Sequence, residues 1–116
     1  MLTLYGIPNC NTVKKARTWL EENNVDYDFH NYKNKGIQQG EIENWMTQQP
    51  WEKLINRAGM TYRKLSDGEK VAIRDNASAT KLMIEKTSVI KRPIVAREGE
   101  IIALGFKEDE YQKLFG

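Results

Sequence analysis

The first third of the chain changes hydrophobic period twice, and this pattern constrains the fold more than any other feature. Residues 2–6 (LTLYG) alternate apolar and polar side chains, which predicts a strand that ends at the turn containing Pro8. Residues 11–23 carry apolar side chains three or four positions apart, which predicts an amphipathic helix. Residues 25–32 return to alternation and predict a second strand, with Val25, Tyr27 and Phe29 on one face.

A helix that connects two strands in this way places Cys10 at a defined edge of the sheet. The length of the connection requires parallel strands and a right-handed crossover. Cys10 follows the first strand and precedes the helix, so it lies at the carboxyl edge of that strand. Open α/β sheets bind their ligands at this edge. The topology therefore makes Cys10 a candidate site residue.

The middle of the chain predicts helices. Residues 37–46 suit one helix, and Trp51, Leu54 and Ile55 suit a short second one that ends near Gly59. Ser66 and Glu69 have the spacing of a capping box that begins another helix, and residues 77–85 continue in helical conformation. The segment from about 34 to 88 is therefore predicted to be an all-helical insert.

The end of the chain predicts a hairpin followed by a helix. Residues 94–96 and 101–104 are apolar runs separated by a turn that contains Gly99. Residues 108–115 form a final helix, with Tyr111 and Leu114 expected to face inward. The order βαβ, helical insert, ββα predicts an α/β protein with a thioredoxin-like fold, in a single domain spanning residues 1–116.

Composition excludes several function classes. The 18 Lys and Arg against 16 Asp and Glu give a net charge of +2, too small for the electrostatic footprint of a nucleic-acid binder. One cysteine and one histidine, His30, exclude an intrachain disulfide and a zinc site of Cys and His ligands. The sequence has neither an apolar run of about 18–20 residues nor a signal peptide. We expect a cytoplasmic protein without metal or membrane contact.

The position of Cys10 favours the thiolate form of its side chain. The backbone N–H groups of Asn11, Thr12 and the residue after them have no partner within the helix and can point at the sulfur. Lys14 lies on the same first turn. Helix N-termini and nearby cations activate thiols in this way. The alternative from local sequence alone is that Cys10 is a small buried hydrophobic residue.

Several segments together show a family resemblance. They are residues 5–16 (YGIPNCNTVKKA), 27–32 (YDFHNY), 62–65 (YRKL), 90–93 (IKRP) and 104–106 (LGF). In order and separation they resemble the YffB branch of the arsenate reductase ArsC/Spx family, over essentially the full length. The resemblance implies a thioredoxin-like fold with a helical insert and one redox cysteine that reacts with glutathione or an oxyanion.

The resemblance also implies roles for individual residues. Cys10 matches the family nucleophile, and Arg92 matches the arginine that contributes to the anion site. Pro93 matches the cis-proline that faces the cysteine loop in thioredoxin-like proteins. The residues expected to bind the substrate are Asn11, Thr12, Lys14, Arg57 and Pro93.

Three positions depart from the family pattern. Asn56 and Leu104 stand where the arsenate reductases carry two further arginines, and Arg57 is one position from the first of these. Each lost charge-assisted hydrogen bond to arsenate is worth roughly 1.5–3 kcal/mol, so efficient arsenate reduction is not expected. Val13 stands at the second position of the C-x-x-C switch of Spx regulators, so no disulfide can form there.

These observations lead to one main hypothesis and two alternatives. The main hypothesis is an oxidoreductase, a glutathione-dependent thiol reductase in which glutathione releases the Cys10 adduct formed with an unidentified oxidised substrate. The first alternative is a non-catalytic regulator similar to Spx that binds RNA polymerase or another protein. The weaker alternative is an arsenate reductase. His30, in the second strand, is expected to be structural rather than a general base.

Overall fold

The computed structural model describes all 116 residues and divides into two compact units. The first unit comprises Met1–Lys35 and Arg92–Gly116, and the second comprises Gly36–Lys91. All the strands lie in the first unit, together with three of the helices. The strands are β1 (Leu2–Gly6), β2 (Tyr27–Asn31), β3 (Ile94–Arg97) and β4 (Glu100–Leu104). The helices are α1 (Asn11–Glu22), α2 (Tyr32–Lys35), α3 (Gln39–Met46), α4 (Trp51–Leu54), α5 (Met60–Arg63), α6 (Asp67–Ala72), α7 (Asn76–Glu85) and α8 (Glu108–Phe115).

The first unit is built on a four-stranded sheet with the order β2-β1-β3-β4. β1 and β2 are parallel and are joined through α1, as the period changes predicted. β3 is antiparallel to both β1 and β4. The turn between β3 and β4 contains two residues with positive φ, Glu98 at 52° and Gly99 at 86°. This βαβ and ββα arrangement is the thioredoxin-like fold predicted from the sequence.

One face of this sheet packs against α1 and α8. The buried residues of this core are Leu2, Leu4, Val13, Ala16, Trp19, Leu20, Val95, Ala103 and Tyr111. The prediction that Leu114 faces inward was wrong, because its side chain is 44% exposed. Phe115 takes that place, with its ring centroid 5.4 Å from that of Tyr111. At 3.6 residues per turn, Phe115 is displaced about 40° from Tyr111 around the helix and Leu114 about 60°, so Phe115 is closer to the buried side.

The second unit contains α3 to α7, in the segment predicted to be helical from about 34 to 88. The capping box of Ser66 and Glu69 at the start of α6 is present, and Asp75 and Ser78 form a second one at α7. The arrangement of the whole chain as a single domain stays a prediction. None of the eight helices combines the length and the apolar character needed to cross a membrane.

Several element boundaries differ from those predicted. β2 begins at Tyr27 rather than Val25, and α3 begins at Gln39 rather than at residue 37. α4 ends at Leu54 rather than near Gly59, because Ile55 is extended and forms an isolated antiparallel bridge with Ile90. Backbone hydrogen bonds on either side, of 2.7 Å each, hold this pairing. Tyr32, predicted at the end of the second strand, begins α2 instead, with its side chain 2% exposed.

Candidate functional site

Strand register brings the Cys10 loop and the Arg92-Pro93 segment to the same edge of the sheet. Tyr5 near the end of β1 pairs with Ile94 at the start of β3. Because the two strands are antiparallel, the chain after β1 and the chain before β3 leave the sheet at one edge. Ile94 also pairs with Leu104, so β4 ends there as well. This edge is the candidate site.

Cys10 is the N-cap residue of α1. Its backbone is extended, with φ −103° and ψ 126°, and its side chain makes no capping hydrogen bond. Its carbonyl oxygen accepts a hydrogen bond of 2.9 Å from the backbone N–H of Lys14, which closes the first turn. The thiol is free and half-buried, and it packs against the edge of the core. The sulfur therefore lies where the first-turn N–H groups of a helix are available to an anion.

The first turn of α1 carries no negative charge that would compete for those N–H groups. Asn11, Thr12 and Lys14 are exposed on it. Lys14 also lines a surface groove of about 530 Å³ whose apolar lining includes Trp19 and Phe106. The predicted binding residues of this segment are thus accessible to a ligand, and their contacts with a substrate stay predictions.

The Arg92-Pro93 peptide bond is cis, which confirms the conformation expected of Pro93. Pro93 is buried and Arg92 is half-buried. The carbonyl oxygen of Pro93 accepts a hydrogen bond of 2.7 Å from the backbone N–H of Gly105, whose φ is 80°. The Tyr111 hydroxyl in turn donates a hydrogen bond of 2.9 Å to the carbonyl oxygen of Gly105. Helix α8 is thus connected to the segment that carries Arg92.

Leu104 and Arg57, two of the positions singled out from the sequence, belong to different units. Leu104 is half-buried at the end of β4, on the edge that carries the candidate site. It brings no charge to that edge, where the family pattern has an arginine. Arg57 is exposed in the second unit, between α4 and α5. A role for Arg57 beside Cys10 stays a prediction.

An aromatic cluster at the same edge was not predicted. Tyr5 and His30 pair in register on β1 and β2, and their ring centroids lie 4.8 Å apart. The His30 ring lies 5.7 Å from that of Tyr32. This packing accords with the structural role expected of His30. The alternation of the two strands was the signal available in the sequence, and the parallel register that places Tyr5 beside His30 comes from the structure.

Burial shifts the pKa of two tyrosines in the first unit. Burial is the main cause that raises the pKa of Tyr27, and its hydrogen bond to the Glu21 carboxylate raises it further. Burial also raises the pKa of Tyr111, with a smaller contribution from the charge of Glu110. Both hydroxyls therefore stay protonated near neutral pH and act as hydrogen-bond donors. No group of three or more His, Cys, Asp or Glu side chains is arranged to hold a metal ion.

Known proteins resemble this chain along its whole length. A solved structure named YffB (PA3664) is 44% identical, covers 100% of both chains and superposes with a TM-score of 0.92. The structure of an arsenate reductase (ArsC) related protein from Brucella melitensis is also 44% identical, covering 98% of this chain and 93% of that one, with a TM-score of 0.78.

Curated relatives extend the similarity. A protein of Haemophilus influenzae is 37% identical over 115 residues, which is 99% of each chain. The global transcriptional regulator Spx of Streptococcus pyogenes is 30% identical over 113 residues, covering 95% of this chain and 81% of that one. The family model described as the ArsC family matches residues 5–114. With a thioredoxin-like sheet and a match over nearly all of its length, the chain belongs to the ArsC family.

Proposed function

We propose that this protein is a glutathione-dependent thiol reductase with Cys10 as its nucleophile. The observation that carries the proposal is the placement of the chain's single thiol at the N-cap of α1, with no side-chain hydrogen bond and no acidic residue on the first turn. Hydrogen-bond donors and a positive helix end stabilise a thiolate, which is the reactive form of cysteine. Membership of the ArsC family supports thiol chemistry at this residue.

The reaction at Cys10 consists of two thiol–disulfide exchanges. The Cys10 thiolate attacks one sulfur of a substrate disulfide R–S–S–R′, forming Cys10–S–S–R and releasing R′–S⁻, which takes up a proton. Because the chain has no second cysteine, an external thiol must cleave this adduct. A glutathione thiolate attacks the R sulfur, giving the disulfide of R and glutathione and restoring the Cys10 thiolate. A second glutathione thiolate then attacks the glutathione sulfur of this mixed disulfide, giving oxidised glutathione and R–S⁻, which takes up a proton. The two electrons that reduce the substrate disulfide therefore come from two glutathione thiols, which end as a disulfide.

The neighbouring residues have defined roles in this proposal. The guanidinium of Arg92 stays charged at every accessible pH and offers paired donors, so it holds a carboxylate of glutathione or stabilises the thiolate. Pro93 and the exposed Asn11, Thr12 and Lys14 contact the bound substrate. A contribution of Arg57 to substrate binding stays a prediction. The abundance of reduced glutathione in the cytoplasm makes that the compartment in which this chemistry would run.

The test is the formation and removal of a glutathione adduct. The protein is incubated with oxidised glutathione and its mass is measured, and Cys10→Ser serves as the control. We expect the wild type to gain one glutathionyl group rapidly and to lose it on addition of reduced glutathione, and Cys10→Ser to gain none. A wild-type thiol that forms no adduct would contradict the reductase proposal.

The similarity to Spx regulators favours a second candidate, a non-catalytic regulator that binds RNA polymerase or another protein. Val13 is fully buried at the position of the second cysteine of the Spx switch, so such a regulator would act without an internal disulfide. The adduct experiment separates the two candidates. An unreactive thiol together with specific binding to purified RNA polymerase would favour the regulator.

A further inference from the structure

Gly6 ends β1 and lies directly against the first turn of α1. It is buried, and a Cβ atom at this position would lie 2.8 Å from Cγ2 of Val13 and 3.3 Å from its Cγ1. A separation below 3.0 Å is not found between real Cβ atoms and their neighbours, so a side chain at residue 6 requires Val13 to move. The φ of Gly6 is not in the left-handed region. The need for glycine here is therefore steric.

Rotation of the Val13 side chain relieves this contact only in part. Both of its methyl groups face Gly6, so any staggered rotation leaves at least one of them on that side. Valine in a helix also strongly prefers a single χ1 rotamer. Its side chain is fully buried in the core, where well-packed neighbours leave little room. Full relief of the contact therefore requires the backbone of α1 to move away from β1.

Movement of Val13 displaces the structure around the nucleophile. Val13 is the third residue of α1 and contributes one of the free N–H groups of its first turn. The next residue, Lys14, donates the hydrogen bond that connects this turn to the carbonyl oxygen of Cys10. A shift of the turn away from β1 therefore moves the positive end of the helix relative to Cys10. The effect of a helix end on a nearby charge falls off within the first turn, so it is sensitive to such a movement.

We propose that Gly6 is a positioning residue for Cys10: the absence of a side chain at residue 6 lets Val13 seat the first turn of α1 next to Cys10, where the positive end of the helix acts on the thiolate. This inference rests on the proposed role of Cys10 as a nucleophile. It adds that the reactivity of the thiol depends on a contact outside the ligand-binding residues, made through the Val13 side chain.

The test measures the rate at which iodoacetamide, a small neutral reagent, alkylates Cys10. We expect Gly6→Ala to lower the second-order rate constant about tenfold or more, since the thiolate is the reactive form. Gly40→Ala is the matched control, because a Cβ at Gly40 meets nothing within 4 Å. Its rate constant should equal that of the wild type. A folded Gly6→Ala protein that reacts at the wild-type rate would overturn the proposal.

Rescue separates a positioning role from general destabilisation. Val13→Ala removes both methyl groups, so the double variant Gly6→Ala with Val13→Ala should react within about threefold of Val13→Ala alone. A double variant that stays about tenfold slower than Val13→Ala contradicts the proposal, and this comparison also serves if Gly6→Ala alone does not fold. Because iodoacetamide alkylation needs no glutathione, loss of the reductase function and loss of the positioning role give different results.

Discussion

The Tyr111 hydroxyl is expected to contribute measurably to stability, and the substitution Tyr111→Phe tests this. The side chain is fully buried, and its hydroxyl donates a 2.9 Å hydrogen bond to the carbonyl oxygen of Gly105. Removing one partner of a buried hydrogen bond leaves the other desolvated, which costs about 1–3 kcal/mol. The ring contacts with Phe106 and Phe115 are retained by phenylalanine. We therefore expect Tyr111→Phe to lower the free energy of unfolding by about 1–3 kcal/mol at pH 7.

The measurement is urea unfolding followed by circular dichroism, with Tyr62→Phe as the control. Tyr62 is half-buried on α5 and contacts Lys70 through its ring, which the substitution keeps. The control should lie within about 0.5 kcal/mol of the wild type. If Tyr111→Phe and Tyr62→Phe have the same free energy of unfolding, the reasoning from the Gly105 hydrogen bond is refuted.

The pH dependence of the free energy of unfolding gives an independent test of the burial of Tyr111. The pKa of Tyr111 in the folded protein is raised above its unfolded value of 10.0. The contribution of Tyr111 to the free energy of unfolding is therefore complete below pH 10 and decreases as the pH rises above 10. The steepest slope expected from one group is about 1.4 kcal/mol per pH unit. Tyr111→Phe should therefore lose less stability than the wild type between pH 10 and 11. Equal losses in the two proteins would contradict the burial argument.

Three further predictions concern the site and the helical unit. Glutathione-dependent rates should fall in the order wild type, Arg92→Lys, Arg92→Ala, because lysine keeps the charge but loses the paired donors; equal steady-state rates in all three would exclude the role given to Arg92. Arsenate should be a poor substrate, because Leu104 brings no charge to the site edge; saturable turnover at low arsenate concentration would show that this departure is unimportant. Hydrogen bonds from Ser78 lower the pKa of Asp75 below 3.8. The contribution of Asp75 to stability should therefore be complete above pH 3.8 and decrease as the pH falls through the lowered pKa. Thermal unfolding of wild type and Asp75→Asn at pH 7 and pH 3 measures this contribution. A larger decrease in stability between pH 7 and pH 3 in the variant than in the wild type would contradict the capping argument.

The sequence predicted those parts of the fold in which hydrophobic period and turn residues agree. β1, α1 and the β3–β4 hairpin lie where alternation, amphipathic spacing and the turn at Gly99 placed them. The capping box at Ser66 was likewise visible as a four-residue pattern. These features depend on residues close in sequence, so hydrophobic period, turn residues and capping patterns report them.

Boundaries were wrong where a distant residue competes with local propensity. Ile55 continues the apolar spacing of α4, but its backbone pairs with Ile90 and the helix ends before it. The partner Ile90 is not visible in the local pattern that was used to place α4. In α8 the error was local, because Phe115 lies closer than Leu114 to Tyr111 around the helix and packs against its ring.

At the candidate site, too, local sequence determined some features and tertiary structure decided others. The sequence by itself determined that the chain has one thiol, that it follows a strand and begins a helix, and that an arginine precedes Pro93. Only the tertiary structure decided that these two segments share a sheet edge, because this depends on the antiparallel register of Tyr5 with Ile94. It also decided that Gly6 lies against Val13, since a close approach between a strand end and a helix has no periodic signature. Backbone pairing and packing between distant segments set these distances, whereas the sequence alone specifies which chemical groups are available.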